Sequence, residues 1–306
     1  MQIIGITGGT GFVGHHLTNL LHRKGCTVII FTRDMHKVSR IKNVKYSFWS
    51  PHENKFDLRY LGELNGVINL AGESLDQRWT KRVRKEIVSS RVAGSEFLIE
   101  KIRMHAPQCK VLVAASAVGY YGPDRPGMSP FHEDAPPAND FLGNTCRLWE
   151  NANHAADELM RTVILRFGIT IGKEDGVFKK FSRPQDFGLV PILGTGRQVV
   201  SWIHVDDLCH MILYALENED IKGTFNASSP YPASYKEIML AIAKQKGGIK
   251  IPIHVPELAI KLLLGKMGKE ALKSITMSAE KIQQAGYRFK YPTIESAVKE
   301  IIETRS

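Results

Sequence analysis

Ile3-Ile4-Gly5-Ile6-Thr7 runs directly into Gly8-Gly9-Thr10-Gly11-Phe12-Val13-Gly14. The first five residues predict a short buried strand, and a helical pattern follows over Phe12–Lys24 with Gly25 as its C-cap. Glycines at 8, 11 and 14 permit a tight turn, close backbone approach to a pyrophosphate, and close packing of the helix on the strand. The first N–H groups of that helix then face the phosphates. A glycine pattern by itself is weak evidence. Its position between a strand and a helix is the context the motif requires, and it makes Gly8, Thr10, Gly11, Phe12, Val13 and Gly14 a candidate dinucleotide-binding loop.

Working outward, Val28–Thr32, Val67–Leu70, Val111–Ser116 and Val163–Phe167 read as further buried strands, apolar and nearly uncharged. Lys81–His105 and Leu142–Met160 have helical length and periodicity. This alternation predicts an α/β fold, a Rossmann-type doubly wound parallel sheet with helices on both faces. From Gly168 to Trp202 glycine, proline and isolated aromatics become frequent. Helical pattern returns at Val205–Glu217, Ser234–Lys246, Pro256–Leu264 and Ile294–Thr304, with an extended Ile249–Val255 between. The expected organisation is a nucleotide-binding domain over 1–167 and a smaller mixed α/β lobe over 168–306. The chain is expected to cross back to the first domain around 199–227.

The composition fits a globular α/β protein: 306 residues, 43% hydrophobic and 24% charged. Lys and Arg total 41 against 31 Asp and Glu, a net charge of +10 that leaves nucleic acid, acidic lipid and phosphorylated small molecules open as partners. No apolar run of membrane-spanning length occurs. The opening residues have neither a basic n-region nor a long apolar h-region, so a secretory signal is not expected. Cys26, Cys109, Cys146 and Cys209 are too scattered for a zinc knuckle or a disulfide framework, and reduced thiols in a cytoplasmic protein are the expectation.

Further motifs carry a resemblance. Asn69-Leu70-Ala71-Gly72 ends one strand, Ser116 ends another just before Tyr120-Tyr121-Gly122, and Trp202-Ile203-His204-Val205-Asp206-Asp207 opens a helix. With the glycine loop, these resemble the extended, sugar-nucleotide-epimerase-like branch of the short-chain dehydrogenase/reductase superfamily. Gly72-Glu73-Ser74, Arg78-Trp79, Ser90-Arg91, Val255-Pro256 and Gly286-Tyr287-Arg288-Phe289-Lys290-Tyr291-Pro292 are similar to a small atypical subgroup called "epimerase family protein", which carries a C-terminal domain of unknown function. The resemblance implies a nicotinamide dinucleotide lying along Leu70, Ala71, Gly72 and Glu73, with Ser116 near the substrate oxygen. The family's acidic residue for the ribose 2′-hydroxyl falls here on Thr32, followed by Arg33. Thr32 brings no charge to repel a 2′-phosphate, and Arg33 can fork onto one, so NADP(H) is the expected cofactor. Asp34 would restore an acid if the register slipped by one residue.

The resemblance also exposes a gap. The superfamily pairs a tyrosine with a lysine four residues on, the lysine lowering the tyrosine pKa. None of the nine tyrosines here has such a lysine. Aligned on Trp149-Glu150, Leu142 takes the tyrosine position and Cys146 the lysine position. Ser116 and Tyr120 remain as candidate catalytic residues, with Tyr121 beside them, although each tyrosine also reads as an aromatic wall. His204 reads as structural, Cys146 as a buried inert thiol, and Arg166 as an ion-pair partner.

Arg78, Lys81, Arg82, Arg84 and Lys85 form a basic stretch beside Trp79. It reads as a nucleic-acid surface, as a solvated helix face, or as arginines entering the cleft, with Arg91 near the cofactor and Glu73 or Glu86 as its partner. The leading expectation is an NADP(H)-binding, epimerase-like oxidoreductase acting on a small molecule in the interlobe cleft. Alternatives are a non-catalytic NADP(H) sensor working through a partner and an RNA-binding relative. Dimerisation through the helices at 81–105 and 142–160 is implied by the resemblance alone.

Overall fold

The computed structural model describes residues 2–37, 41–127, 130–173 and 177–304. Its main sheet contains β1 (Ile3–Thr7), β2 (Thr27–Thr32), β3 (Val44–Ser50), β4 (Lys55–Phe56), β5 (Gly66–Asn69), β6 (Val111–Ala117) and β7 (Arg161–Phe167). The smaller lobe adds β8 (Ile169–Ile171), β9 (Leu189–Leu193), β10 (Val199–Val200) and β11 (Trp202–His204), and then β12 (Gly223–Ala227) returns to the main sheet. Last come β13 (Ala233–Ser234) and β14 (Ile251–Val255). The sheet order is β12-β7-β6-β5-β1-β2-β3-β4, parallel throughout except for the edge pair β3–β4. Strand β1 lies between β2 and β5, with Ile6 level with Ile30 on one side and Ile68 on the other. Chain order reverses at β1, so a crevice opens beyond its carboxyl end, where such sheets take their ligands.

Both faces of the sheet are covered, which is why its strands are apolar on both sides. Helices α1 (Phe12–Arg23) and α5 (Val205–Glu217) bury Leu17, Leu21, Leu208 and Ile212 against Ile6, Ile30 and Ile68. On the other face α2 (Lys81–His105) buries Phe97, Leu98 and Ile102 against Ile29, Phe31 and Val67, with α3 (Phe141–His154) beside it. In the smaller lobe, α4 (Val177–Asp186), α6 (Tyr235–Lys246) and α10 (Ile294–Glu303) pack through Phe178, Ile238, Ile242, Ala297 and Ile301. Between α6 and α10 lie the short helices α7 (Glu257–Leu264), α8 (Lys266–Ala271) and α9 (Glu280–Gln284).

Several sequence expectations need correction. The helix expected over 142–160 stops at His154 and gives way to turns over 155–159. Strands β3 and β12 were not expected: Val44-Lys45-Tyr46-Ser47-Phe48-Trp49-Ser50 mixes charge and hydroxyls into its run, and Gly223-Thr224-Phe225-Asn226-Ala227 looks like loop by composition. Helix α4 occupies part of the stretch that reads as irregular. Its Pro184 lies inside the helix, two residues before its end, and forgoes one backbone N–H bond.

The element opening α5 anchors the C-terminal segment. Asp207 accepts from the Lys290 and Tyr291 amides at 2.7 and 2.9 Å, and its carbonyl accepts from the Tyr287 hydroxyl at 2.7 Å. His204 is buried, and its Nδ1 accepts from the Asp206 amide at 3.1 Å, so the neutral ring carries its proton on Nε2. Nε2 lies 2.9 Å from a Glu300 carboxylate oxygen on α10 without meeting hydrogen-bonding geometry. Burial holds the His204 pKa below its ordinary value, outweighing the pull of Glu300, Asp206 and Asp207. The unfolded chain therefore binds this proton first as pH falls below about 6.5, and stability drains from there down to the folded pKa. Urea unfolding at pH 7.5 and 5.5 should show wild type losing more stability than His204→Asn, by up to about 1.4 kcal/mol per pH unit. Equal losses would remove His204 as the source.

Candidate cofactor crevice and active site

Three glycines shape the crevice, each for a separate reason. Gly8 takes φ +69°, and a Cβ there would lie 2.8 Å from the Leu70 carbonyl carbon. Gly11 donates its amide to the Gly8 carbonyl at 3.0 Å and is the N-cap of α1 without any side-chain cap. A Cβ on Gly14 would lie 2.3 Å from the Gly8 carbonyl oxygen, a distance no side chain tolerates. The first turn of α1, with Phe12 and Val13, thus presents uncapped N–H groups beside a loop that only glycine can form. Thr10 is exposed on the same loop. Thr7 ties loop to crevice: its hydroxyl donates to Asn69 at 2.7 Å and accepts from the Ala71 amide at 3.2 Å.

At the end of β2, Thr32 is buried and Arg33 exposed. The Thr32 hydroxyl accepts from the Asp34 amide at 3.1 Å. The Asp34 carboxylate accepts from the His36 amide at 3.0 Å, capping the turn that follows.

Beyond β5, Leu70 and Ala71 pack against the core while Gly72 is exposed. The Glu73 amide donates to Ser90 Oγ at 2.9 Å. Arg91 reaches back from α2 and donates one guanidinium nitrogen to the carbonyls of Glu73 and Ile87, at 3.0 and 3.2 Å. The expected carboxylate partners are not used. Glu86 pairs with Arg82 at 3.5 Å, and the Glu73 side chain accepts from Gln77 at 3.2 Å. Arg78 is exposed, and Arg84 lies over the Phe141 ring at 4.1 Å.

On the other side of α3 lies a buried polar network. Glu150 receives Arg166 bidentately at 2.9 Å for each bond, and Ser116 Oγ donates to the same carboxylate at 2.5 Å. Ser116 is 1% exposed, Glu150 5% and Arg166 3%. Arg166 also donates to the Tyr121 hydroxyl at 2.7 Å, and Tyr121 donates to Asn226 Oδ1 at 2.7 Å. The Asn226 amide closes the network on the carbonyls of Phe131 and Ser278. Burial opposes the Arg166 charge, but the bonds and charge of Glu150 prevail and raise its pKa. Burial likewise pushes Tyr121 up. Tyr120 is half-buried and face-on to Arg166, with Cζ 3.5 Å from the ring centroid. Burial raises its pKa more than Arg166 lowers it.

At the family's tyrosine and lysine positions, Leu142 packs against Gly119 and Cys146 is buried, its thiol pushed up by burial to about 12. Arg166 is the ion-pair partner its sequence position predicts. Asn226, the Asp124–Thr276 bonds at 2.7 and 2.8 Å, and Lys273 bound to Asp140 at 2.8 Å carried no sequence signal, since their bonds span 52 to 152 residues. Among the described residues no His/Cys/Asp/Glu cluster has metal-binding geometry, and no helix is long and apolar enough to cross a membrane.

Residues 4–228 match the model of the NAD dependent epimerase/dehydratase family, and residues 255–301 match a domain of unknown function, DUF1731. The chain belongs to this family. The epimerase family protein YfhF of Bacillus subtilis is 36% identical over 99% of this chain and 98% of its own length. The Staphylococcus aureus epimerase family protein SAR0825 is 33% identical over 97% of this chain and 98% of its own length. Among solved structures, the human epimerase family protein SDR39U1 (isoform 2) with NADPH superimposes with a TM-score of 0.85 at 26% identity, covering 99% of this chain and 100% of the other. The Rossmann-type fold and the epimerase-like architecture are thus shared along the whole chain.

The buried network makes a direct stability prediction. Glu150→Ala leaves Arg166 charged, buried and unpaired, at a cost of about 3–5 kcal/mol. Ser116→Ala removes one donor from a carboxylate that keeps Arg166 and should cost only about 1–2 kcal/mol. Urea denaturation of both variants checks the order, and a Ser116→Ala loss matching Glu150→Ala would contradict it.

Proposed function

We propose that this chain is an NADP(H)-binding, epimerase-like oxidoreductase whose acid/base centre lacks the Tyr-x-x-x-Lys pair. One observation carries the reading: the glycine loop closes so tightly that a Cβ at 8 or 14 would meet the backbone of Leu70 or Gly8, and it lies beside the uncapped N-terminus of α1 and the Leu70–Glu73 crevice. A nicotinamide dinucleotide suits that loop and helix start, and when bound it supplies hydride chemistry at its ring. Arg33, exposed beside the uncharged Thr32, supports the phosphorylated form. Asp34 supports it too, because its carboxylate is turned onto the following backbone. The NADPH bound to the human relative agrees with this assignment.

The chain's own groups then divide the remaining work. Tyr120 stays protonated at neutral pH and donates a hydrogen bond or a proton to a substrate oxygen at the crevice mouth. Ser116 and Glu150 hold Arg166 behind it, so that Tyr120 keeps a fixed cation against its ring. The C-terminal lobe roofs the same mouth through Ile275 and Met277, which pack with Tyr120, Tyr121 and Phe131, and the substrate lies beneath it.

A second reading, a non-catalytic NADP(H) sensor, is favoured by one observation: the Ser116 hydroxyl is buried and already donates to Glu150. NADPH oxidation against a panel of carbonyl compounds and sugar nucleotides separates the two. Turnover abolished by Tyr120→Phe supports the enzyme, and tight NADPH binding without turnover on any substrate supports the sensor. For the cofactor, Arg33→Ala should weaken NADPH about ten-fold or more, about 1.4 kcal/mol, and leave NADH within two-fold. Equal losses for both would overturn the NADP(H) assignment.

A further inference from the structure

The two-stranded sheet of the smaller lobe has one covered face and one bare face. On the covered face Val190 and Ile192 of β9 are buried against Tyr235, Met239 and Ala243 of α6. The register sets the other face. Ile251 pairs with Leu189, Ile253 with Pro191 and Val255 with Leu193, and paired residues of parallel strands point to the same side. All six are apolar, where a solvated sheet face ordinarily carries polar residues. Leu189, Ile251 and Ile253 are exposed, and only Leu193, at the strand end, reaches the α6 cluster. At the start of this face project Phe187, 78% exposed, and Ile249, 87% exposed, the latter following two left-handed glycines, Gly247 and Gly248. Just beyond its end, Leu258 and Leu262 are exposed one turn apart on α7, on the side away from the buried Ile260. Among the described residues, seven of the fourteen exposed large hydrophobics thus fall within 187–189 and 249–262. Apolar residues concentrated in this way mark a docking surface, whereas an ordinary exterior scatters them singly.

We propose that this face seats the chain on an anionic lipid surface, its aliphatic side chains entering the headgroup boundary and the lysines around them meeting the headgroups. Charge selects the partner. Residues 244–269, which include β14 and α7, contain six lysines against one glutamate, Glu257, and no aspartate. Lys244 and Lys269 are exposed, and Lys246 is answered by Asp186 beside Phe187. Apolar side chains flanked by lysine suit a negatively charged lipid layer, which takes up the first and attracts the second. A second copy of this chain suits the face less well. Stacking two such faces would set one lysine-rich segment against another. Adding a strand is hindered too: the Ile251 amide donates to the Gly188 carbonyl, so residues 252 and 254 turn to the open edge, where Pro252 has no N–H to give. Protein interfaces are enriched in Arg, Tyr and Trp and depleted in Lys. The segments 187–193 and 249–262 contain none of the first three and two lysines. Attachment of this kind lies in the plane of the surface and needs no membrane-crossing helix.

The experiment is co-sedimentation of the purified full chain with vesicles of phosphatidylcholine, alone or with about one-third phosphatidylglycerol. Affinity for the anionic vesicles should exceed that for the neutral ones by about ten-fold or more and fall as salt rises. The double variants Phe187→Ser/Ile249→Ser and Lys244→Gln/Lys269→Gln should each weaken it about ten-fold, the first through lost apolar contact and the second through lost charge. Position is read separately. All four cysteines are buried, so an environment-sensitive fluorophore attached to Ile249→Cys reports from that site. Its emission should shift to the blue with anionic vesicles, while the same label on Leu58→Cys, exposed in the nucleotide-binding domain, should not shift. Thermal melts compare the folding of the variants, and the label carries the test if the double serine variant fails to fold. Absence of binding to either vesicle, affinity indifferent to lipid charge, or equal shifts at both labels would each overturn the proposal. So would a wild-type dimer in velocity sedimentation that Phe187→Ser/Ile249→Ser converts to monomer, because a second copy would then cover the face.

Discussion

The bidentate bond between Glu150 and Arg166 is the interaction on which the centre of the molecule depends. It spans α3 and β7, and its remaining donors and acceptors extend it to β6 through Ser116 and to the segment before α3 through Tyr121 and the Glu133 carbonyl. Asn226 carries it on to β12 and the C-terminal lobe. Six parts of the chain therefore meet around one carboxylate. A buried ion pair is weak evidence for stability in itself, because desolvation opposes attraction. Its consequence is specificity of arrangement. Once two charges are withdrawn from water, every lone pair and N–H around them needs a partner, and here those partners fix where α3, β12 and the 131–133 segment sit.

That requirement explains why the Ser116 hydroxyl is directed inward. In a site built around a tyrosine–lysine pair, this hydroxyl is free to face substrate. In this chain the helix positions hold Leu142 and Cys146, and the Ser116 hydroxyl donates to Glu150. The polar centre is the Glu150–Arg166 pair between α3 and β7, and Tyr120 lies face-on to Arg166. The chemistry proposed for Tyr120 follows from that placement. A phenol whose pKa is raised is a donor rather than a base at neutral pH.

What the sequence makes legible divides by range. The glycine loop, β1 and α1 are local: twelve consecutive residues carry the strand, the turn and the helix start, and packing only confirms them. Helices α2 and α5 were bounded correctly from their helical pattern, and in the structure Thr80 and His204 cap them from adjacent positions. Strands β3 and β12 were not legible, since a strand with Lys45 or Asn226 inside it is stabilised by neighbours that local pattern does not reveal. The same holds at the site. Arg33 and Arg91 stood out from motif position, and Arg166 stood out as an ion-pair partner. The tie from Tyr121 to Asn226 joins residues 105 apart and leaves no trace in spacing.

The net charge of +10 shows how little a total decides. Most of the basic stretch from Arg78 to Lys85 is exposed, with Arg82 answered by Glu86 and Arg84 lying on Phe141, an ordinary solvated helix face. Two cations flank α3, the buried Arg166 and the partly buried Arg91. Arg166 has its counter-charge in the chain, so it organises the fold and asks for no ligand. Arg91 is held by two carbonyl oxygens and an indole face, with the Glu73 carboxylate adding a favourable charge. A charge total therefore does not say which cations are structural; the partner each one finds, carboxylate, carbonyl or ring, assigns its part in the fold.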